Sequence, residues 1–436
     1  MKKIIPIFLL CLHSFFAYTQ DSSQAREHIK YLSSKELHGR GVAYNGENLA
    51  AGYLQSQLRK LGVEPLGNNY FQSYELAGFA LEGKIHCDID GQELTPGDDY
   101  RIAPFSQSLN GTYPIIHIPY STLIDSKKID KIKQKYGNNL AKCLIYIDDT
   151  KAHFKKEQDQ KDYQNKVRMI EFDNPFHSAG IIKGVGKMSA WGLAHTHYAR
   201  ESAFIYMLND KIKRNSKQIT INYNNELRPY THHNVCGIIR GTDKADEYIV
   251  LCAHYDHLGA MGENVYFPGA HDNASGCAFL LNMAQYFSQN PPKCSIVFLF
   301  FAGEESGLLG SKYFTENPLI PLQQIRFAIN FDLLGGGDEG ITLVNSTEGK
   351  GKDLYEKIVS INDKEQLLPK IATRQNTANS DHYFFTQQGV TALFLYTMGG
   401  KTGAYHDPSD SNDNCSLAMF DSIFKLFRIL IEKEGD

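Results

Sequence analysis

Four near-continuous apolar runs mark the second half of the chain, separated by stretches in which apolar residues recur at helical spacing. Runs of this kind suit strands that are buried on both faces of a sheet. Between the first two runs, from Ser275 to Ser288, Phe279, Met283 and Phe287 share one helical face. Strands that alternate with helices predict a largely parallel sheet with helices packed on it. The four runs are Tyr248 to Cys252, Ser295 to Phe301, Arg326 to Phe331 and Thr391 to Tyr396.

The first half of the chain has a different pattern. Residues 24–62 have helical spacing, which predicts one apolar face formed by Leu49, Tyr53, Leu54, Leu58 and Leu61. Residues 78–212 contain short β-like runs with polar, lysine-rich connections, which predict an inserted, mainly-β module. The predicted fold is therefore α/β, with a mixed, largely parallel central sheet flanked by helices. The predicted divisions are 1–20, 21–77 for the first part of the main domain, 78–212 for the module and 213–436 for the rest of the main domain.

The first 20 residues have the pattern of a secretory signal peptide. Lys2 and Lys3 precede an apolar stretch from Ile4 to Ala17, and polar residues follow from Gln20. We therefore expect export to the periplasm or the medium, with no stable membrane anchor after the signal is removed. A retained anchor is the alternative. The stretch is short for a membrane span.

Composition excludes few functions. The formal net charge is −4, and no basic block of the kind that follows phosphates is present, so nucleic acid is not an expected partner. Of eight cysteines, Cys11 would leave with the signal, and the remaining seven form no C-x-x-C. Cys252 and Cys277 lie in apolar runs and are predicted to be buried thiols. Disulfide pairing stays open.

Acidic and histidine side chains follow the ends of the predicted strands. Open α/β sheets bind ligands outside the carboxyl ends of their strands. These side chains should therefore meet at one rim, joined there by Asp272, which lies just before the predicted helix. The strand-end residues are His254 and Asp256 after the first run, Glu304 and Glu305 after the second, Asp332 after the third and His406 beyond the fourth.

This mixture of side chains suits zinc, which binds imidazole nitrogen and carboxylate oxygen. Two zinc ions would bring four positive charges, and Asp272, Glu305 and Asp332 would return three negative ones. Singly, each residue reads more simply as a polar loop residue, and the Glu304–Glu305 pair as an acidic helix start. The chain has no H-E-x-x-H and no G-x-S-x-G, which disfavours zincins and serine hydrolases with the usual nucleophile elbow.

Five segments in order carry a resemblance to a known family. They are A-H-Y-D-H-L-G (253–259), G-A-H-D-N-A-S-G (269–276), F-A-G-E-E-S-G-L-L-G-S (301–311), I-N-F-D (329–332) and Y-H-D-P-S-D (405–410). Together they resemble the di-zinc aminopeptidases of metallopeptidase family M28, whose relatives include glutamate carboxypeptidase and transferrin receptor. The resemblance covers 219–436, and L-S-S-K-E-L-H-G-R (32–40) is similar to the opening segment of that family.

The resemblance implies a zinc-exopeptidase fold, two Zn²⁺ per chain and a peptide substrate. Position by position, it implies that His254 and Asp332 bind one ion, that Glu305 and His406 bind the other, and that Asp272 bridges both. It further implies that Glu304 is the general base, that Asp256 accepts a hydrogen bond from His254, and that Tyr405 supports the oxyanion. The inserted module occupies the place of a protease-associated domain in many relatives.

Several functions remain open at this point. An aminopeptidase is favoured, and a carboxypeptidase or dipeptidase would differ only in pocket residues that the sequence does not place. A glutaminyl cyclase-type acyltransferase shares the fold but works with one zinc. A non-catalytic binding protein is expected to have lost ligands, and this chain retains all five. The oligomeric state is not predicted.

Overall fold

The structure is a computed structural model that describes residues 22–148, 154, 157–188, 191–192, 200–400 and 405–434. The predicted signal peptide lies outside the described residues. The helices are α1 (Ser22–Leu32), α2 (Gly46–Lys60), α3 (Ser126–Tyr136), α4 (Glu157–Phe172), α5 (Ser275–Gln289), α6 (Leu309–Glu316), α7 (Gly349–Glu365), α8 (His382–Gln387) and α9 (Phe420–Glu434).

The strands follow the same order along the chain. They are β1 (Glu64–Pro65), β2 (Phe71–Ile89), β3 (Gln92–Glu93), β4 (Tyr100–Ile102), β5 (Leu109–Pro119), β6 (Leu144–Asp148), β7 (Gly180–Val185), β8 (Ala203–Leu208), β9 (Gln218–Ile239), β10 (Lys244–His254), β11 (Ala260–Met261), β12 (Val265–Tyr266), β13 (Cys294–Phe301), β14 (Ile325–Phe331), β15 (Ile341–Val344), β16 (Ile371–Arg374) and β17 (Ala392–Thr397).

The main domain contains the predicted sheet, in the order β16-β15-β17-β14-β10-β13-β9. The four apolar runs form β10, β13, β14 and β17, which are mutually parallel. β15 runs antiparallel to β17, and β9 antiparallel to β13. The predicted mixed, largely parallel sheet is confirmed.

Helices cover both faces of this sheet. Alternate residues of β13 face opposite sides: Ile296, Phe298 and Phe300 join a core with α1, α2, α5, α7 and α9. Val297, Leu299 and Phe301 join a second core that includes residues of α6 and α8. Burial on both faces explains the near-continuous apolar runs, because each fully buried large side chain stabilises the fold by roughly 1.5–3 kcal/mol.

The predicted continuous helical pattern at 24–62 is instead two helices. α1 ends at Leu32 and α2 begins at Gly46, and between them His38, Arg40 and Tyr44 have positive φ angles. Such angles end a right-handed helix. Leu54 and Leu58 are buried as expected, whereas Leu49 is 44% exposed and does not belong to the buried face.

The long antiparallel strands β2 and β9 connect the inserted module to the main domain. Their pairing runs from Phe71 opposite Val235 to Ile89 opposite Ile219. Beyond it, β5, β6, β7 and β8 are parallel neighbours, and β4 closes the edge. The module also contains α3 and α4, where only connections were predicted. α3 buries none of its residues, so no apolar stripe announces it. The domain boundaries and the likeness to a protease-associated domain stay predictions; position 78 lies within β2.

Among the described residues, all seven cysteines are buried and free, which confirms the expectation for Cys252 and Cys277. No helix in this part of the chain is long and apolar enough to cross a membrane.

Candidate metal centre

The carboxyl ends of the parallel strands converge as predicted. β10 ends at His254, β13 is followed by Glu304 and Glu305, and β14 is followed by Asp332. His406 follows β17 at a greater distance along the chain, and Asp272 lies in the irregular turn Ala270–Ala274 before α5. Gly269 permits this turn: its φ is +58°, and an added Cβ would lie 2.2 Å from the Asp272 carbonyl oxygen.

Asp272 lies between two clusters of side chains and offers one carboxylate oxygen to each. Its Oδ1 is 3.2 Å from His254 Nε2, which is also 3.3 Å from Asp332 Oδ1. Its Oδ2 is 3.2 Å from His406 Nε2, which is also 3.1 Å from Glu305 Oε2. The five residues predicted as ligands therefore form two adjoining sets that share Asp272.

These sets have the character of cation sites. His406 Nε2 is buried and has no hydrogen-bond partner among the described residues, although two carboxylate oxygens lie close to it. Burial favours the neutral imidazole, yet the Asp332 and Glu304 carboxylates raise the pKa of His254 well above its ordinary value. Three clustered carboxylates with imidazole nitrogens among them are a donor set that zinc accepts, so the residues present fit the metal.

The Asp256 carboxylate binds the backbone of the acidic turn at Glu304 and Glu305, a contact that was not predicted. Its carboxylate accepts hydrogen bonds from the main-chain N–H groups of Glu304 (3.0 Å) and Glu305 (3.1 Å). His254 Nδ1 lies 3.1 Å from the main-chain oxygen of Asp256 and 3.7 Å from its carboxylate Oδ1. The main-chain oxygen of Asp256 thus accepts the hydrogen bond from His254 Nδ1, while the Asp256 side chain fixes the turn.

Glu304 and Tyr405 face the same cavity as His254 and Asp332. Burial raises the pKa of the Glu304 carboxyl well above its ordinary value, and the neighbouring Glu305 and Asp381 carboxylates add to the rise. A raised pKa makes a carboxylate a stronger base. The Tyr405 ring stacks on the His406 imidazole, with ring centroids 3.8 Å apart.

His257 was not singled out from the sequence, and it belongs to the site. Its Nδ1 lies 2.7 Å from Glu305 Oε1 and 4.0 Å from Asp272 Oδ2. By proximity it could complete a three-residue metal group with these two carboxylates. His406 fits that position better, because its Nε2 is close to both carboxylates and His257 already bonds one. His257 lies in the quoted segment A-H-Y-D-H-L-G, directly after Asp256.

The part of the chain that contains the candidate metal centre matches a known family. Residues 234–431 match the model of Peptidase family M28. The matched segment is a little less than half of the chain. All five proposed ligands, Glu304 and Asp256 lie within it.

Curated relatives of this M28 segment match over part of their length. Aminopeptidase YwaD of Bacillus subtilis (strain 168) is 28% identical over 195 residues, which cover 43% of this chain and 41% of the relative. A "Probable zinc metalloprotease" of Pyrenophora teres f. teres (strain 0-1) is 26% identical over 175 residues, covering 37% and 35%. The matches thus span about two fifths or less of these relatives.

Solved structures confirm the fold over nearly the whole chain. The peptidase M28 precursor from Shewanella amazonensis SB2B has a TM-score of 0.69 at 18% identity, covering 96% of this chain and 94% of that one. BSAP, a zinc aminopeptidase from Bacillus subtilis, has a TM-score of 0.65 at 17% identity and covers 96% of both chains.

Two further residues support the candidate metal centre from outside its predicted members. The Asp410 carboxylate accepts the main-chain N–H groups of His271 and Asp272, at 2.9 and 3.1 Å. Arg40 is fully buried, and its guanidinium donates to main-chain carbonyls around the same turn. The five acceptors are Leu32, Tyr255, Pro268, Gly269 and Asp272. Both residues stand in quoted segments, which was the only sequence pattern that pointed to them.

Proposed function

We propose that this protein is an exported zinc-dependent aminopeptidase, which removes N-terminal residues from peptides. The observation that carries the proposal is the position of Asp272, with one oxygen on His254 and the other on His406. A carboxylate shared in this way suits two ions and is not needed for one. The match of residues 234–431 to Peptidase family M28 and the relative named aminopeptidase support the reaction class.

The five ligand residues divide into two sites that share one member. His254 and Asp332 would hold one zinc ion, Glu305 and His406 the other, and Asp272 would serve both. When bound, such a pair supplies Lewis acidity toward a substrate carbonyl and an attacking water. Asp256 holds Glu304 and Glu305 in register through their main-chain N–H groups.

Glu304 is the proposed general base. It faces the cavity beside His254 and Asp332 without belonging to either ligand pair. It takes a proton from the attacking water and returns it to the leaving amine, so the carboxylate is restored after each turnover. Tyr405, which lines the same cavity and is half exposed, is the proposed donor to the developing oxyanion.

Hydrolysis of a panel of aminoacyl anilides, with free and N-acetylated amines, tests the proposal. The mature protein should release only residues with a free amine, contain two zinc ions by elemental analysis, and lose activity with a chelator. Glu304→Gln should keep both ions and lose about 100-fold or more in kcat. Glu316→Gln, at an exposed position at the end of α6, is the matched control and should leave kcat unchanged.

The same measurements separate the alternatives. A single zinc ion with cyclisation of N-terminal glutamine would replace the proposal with an acyltransferase. Two ions without release from any free-amine substrate would overturn the aminopeptidase assignment.

A further inference from the structure

The cavity beside the candidate metal centre extends well beyond the ligand residues. It measures about 310 Å³ and is lined at one end by His254, Glu304 and Asp332. This is at the lower end of the roughly 300–1,000 Å³ of small-molecule sites. It suits a short length of peptide. Phe394 and Tyr396 of β17, with ring centroids 5.3 Å apart, add aromatic surface to the cavity.

Arg374 lines the same cavity and is the one arginine or lysine among its described lining residues. It ends the edge strand β16, where it pairs with Val344 of β15. Its main-chain N–H also approaches the Ser346 hydroxyl at 3.3 Å. The backbone is therefore held in place, whereas within the described chain no ion pair or hydrogen bond engages the guanidinium.

The acidic and basic lining residues of the cavity are separated from each other. The acidic lining residues Asp272, Glu304 and Asp332 all lie at the metal end, where bound cations would offset them. Arg374 contributes a separate positive charge with several N–H donors in a planar fork. That fork matches the two oxygens of a carboxylate.

We propose that Arg374 forms a carboxylate-binding subsite of the active-site cavity. The inference rests on the proposed peptidase function and names its substrate class: peptides that place a carboxylate near the cleaved bond. Two sources share this chemistry, an acidic N-terminal side chain and the free C-terminus of a very short peptide.

The test compares two substrate pairs in wild type and Arg374→Gln. Glutamyl anilide against glutaminyl anilide reports on the side chain, and a dipeptide against its amide reports on the C-terminus. In one pair, wild type should prefer the carboxylate member on the order of tenfold in kcat/KM, through KM, and Arg374→Gln should abolish that preference. Which pair responds identifies the source.

Controls keep this result separate from the proposed function. Leucyl anilide, which lacks a carboxylate, should be cleaved equally by wild type, Arg374→Gln and Lys370→Gln. Lys370 is an exposed cation beside β16 that does not line the cavity. Failure to cleave leucyl anilide would count against the peptidase itself.

A binding measurement does not need turnover. Calorimetry of free glutamate and of glutamine with zinc-loaded Glu304→Gln should show tighter glutamate binding if the side chain is recognised. The difference should vanish in Glu304→Gln/Arg374→Gln. Unchanged ratios in both substrate pairs, with leucyl anilide cleaved normally, would overturn the subsite and leave Arg374 a solvated surface residue.

Discussion

Arg101 of the inserted module forms an ion pair with Asp407, the residue that follows His406; Arg101 Nη2 and Asp407 Oδ2 are 2.7 Å apart. The Arg101 side chain is only 5% exposed, so solvent screens this contact little. Trp191, also from the module, donates its main-chain N–H to the His406 carbonyl at 3.0 Å, and its ring stacks on Phe267. The module therefore holds the loop that presents His406.

We expect Arg101→Gln to weaken zinc binding at one of two sites by about 10- to 100-fold, as loss of residues that orient metal ligands typically does. The affinity of the other site should change little. Zinc titration with a competing chelator measures both constants. Asp407→Asn should have a similar effect, and the double variant should be little worse than either single one, because both remove the same contact.

Lys211→Gln is the control for this prediction. It breaks the ion pair between Lys211 Nζ and Asp99 Oδ1 (2.9 Å) in the same module, a contact that includes no residue of the His406 loop. If Lys211→Gln weakens zinc as much as Arg101→Gln, general loosening of the module explains the effect. Equal zinc affinities in wild type and Arg101→Gln would show that the ion pair does not position His406.

Metal stoichiometry should distinguish Asp272 from its neighbours. Asp272→Asn should lose both ions, because the residue serves both sets, whereas His406→Ala should keep one. His257→Ala should keep both with weaker binding at one site, because His257 contacts Glu305 rather than completing a ligand set. Elemental analysis after dialysis checks this. Two ions in His406→Ala and one in His257→Ala would exchange the roles of the two histidines.

Arg40 should be a large contributor to stability. Arg40→Met removes the donor from five main-chain carbonyls, of which Gly269 still accepts the Ala274 N–H. Each carbonyl left unsatisfied costs about 1–3 kcal/mol, so a total loss of about 4 kcal/mol or more is expected. Urea unfolding measures it, and Arg40→Lys provides a milder variant if Arg40→Met does not fold. The exposed Arg59→Met should change stability by about 0.5 kcal/mol or less. A similarly small effect for Arg40→Met would contradict the prediction.

His28 should make folding pH-dependent. The side chain is buried, with Nδ1 2.7 Å from the Tyr53 hydroxyl, and burial lowers its pKa from 6.5 to about 4. Between these values the unfolded chain binds a proton that the folded chain does not. The contribution to stability is therefore complete above pH 6.5 and is lost as the pH falls toward 4.

The measurement for His28 is the free energy of unfolding of wild type and His28→Gln, obtained from urea titrations between pH 7 and pH 4.5. As the pH falls, the free energy of unfolding of wild type should decrease more steeply than that of His28→Gln, by at most about 1.4 kcal/mol per pH unit. His177→Asn, at an exposed position, should follow wild type. Parallel curves for wild type and His28→Gln would exclude His28 as the source.

The sequence predicted the sheet best where burial is uniform. β10, β13, β14 and β17 are buried on both faces, so their apolar runs are unbroken and the side chains that follow them are easily located. Strand order then brings His254, Glu305 and Asp332 together without knowledge of any contact. α3 was missed because polar interactions define it: the Asp125 carboxylate caps the N–H groups of Lys127 and Lys128, and no residue of the helix is buried.

Contacts between distant segments were beyond the sequence pattern. Arg40 is fully buried although arginine usually lies at the surface, and nothing in its local spacing indicates the carbonyls that surround it. The sequence pattern also does not predict the role of His257, because its contact with Glu305 depends on how two strand ends meet. The ligand roles were assigned by resemblance, and the shared position of Asp272 gives them a geometric basis.

The paired strands β2 and β9 carry the chain into and out of the module side by side, with Ile89 opposite Ile219. Neighbouring strands lie about 5 Å apart. The chain therefore leaves and re-enters the main domain at nearly the same place, as it does at a hairpin turn. Loop-closure entropy rises only with the logarithm of loop length, so modules of different size cost the host little. Because Arg101 reaches the His406 loop, exchanging the module during evolution would change the candidate metal centre while leaving the host fold intact.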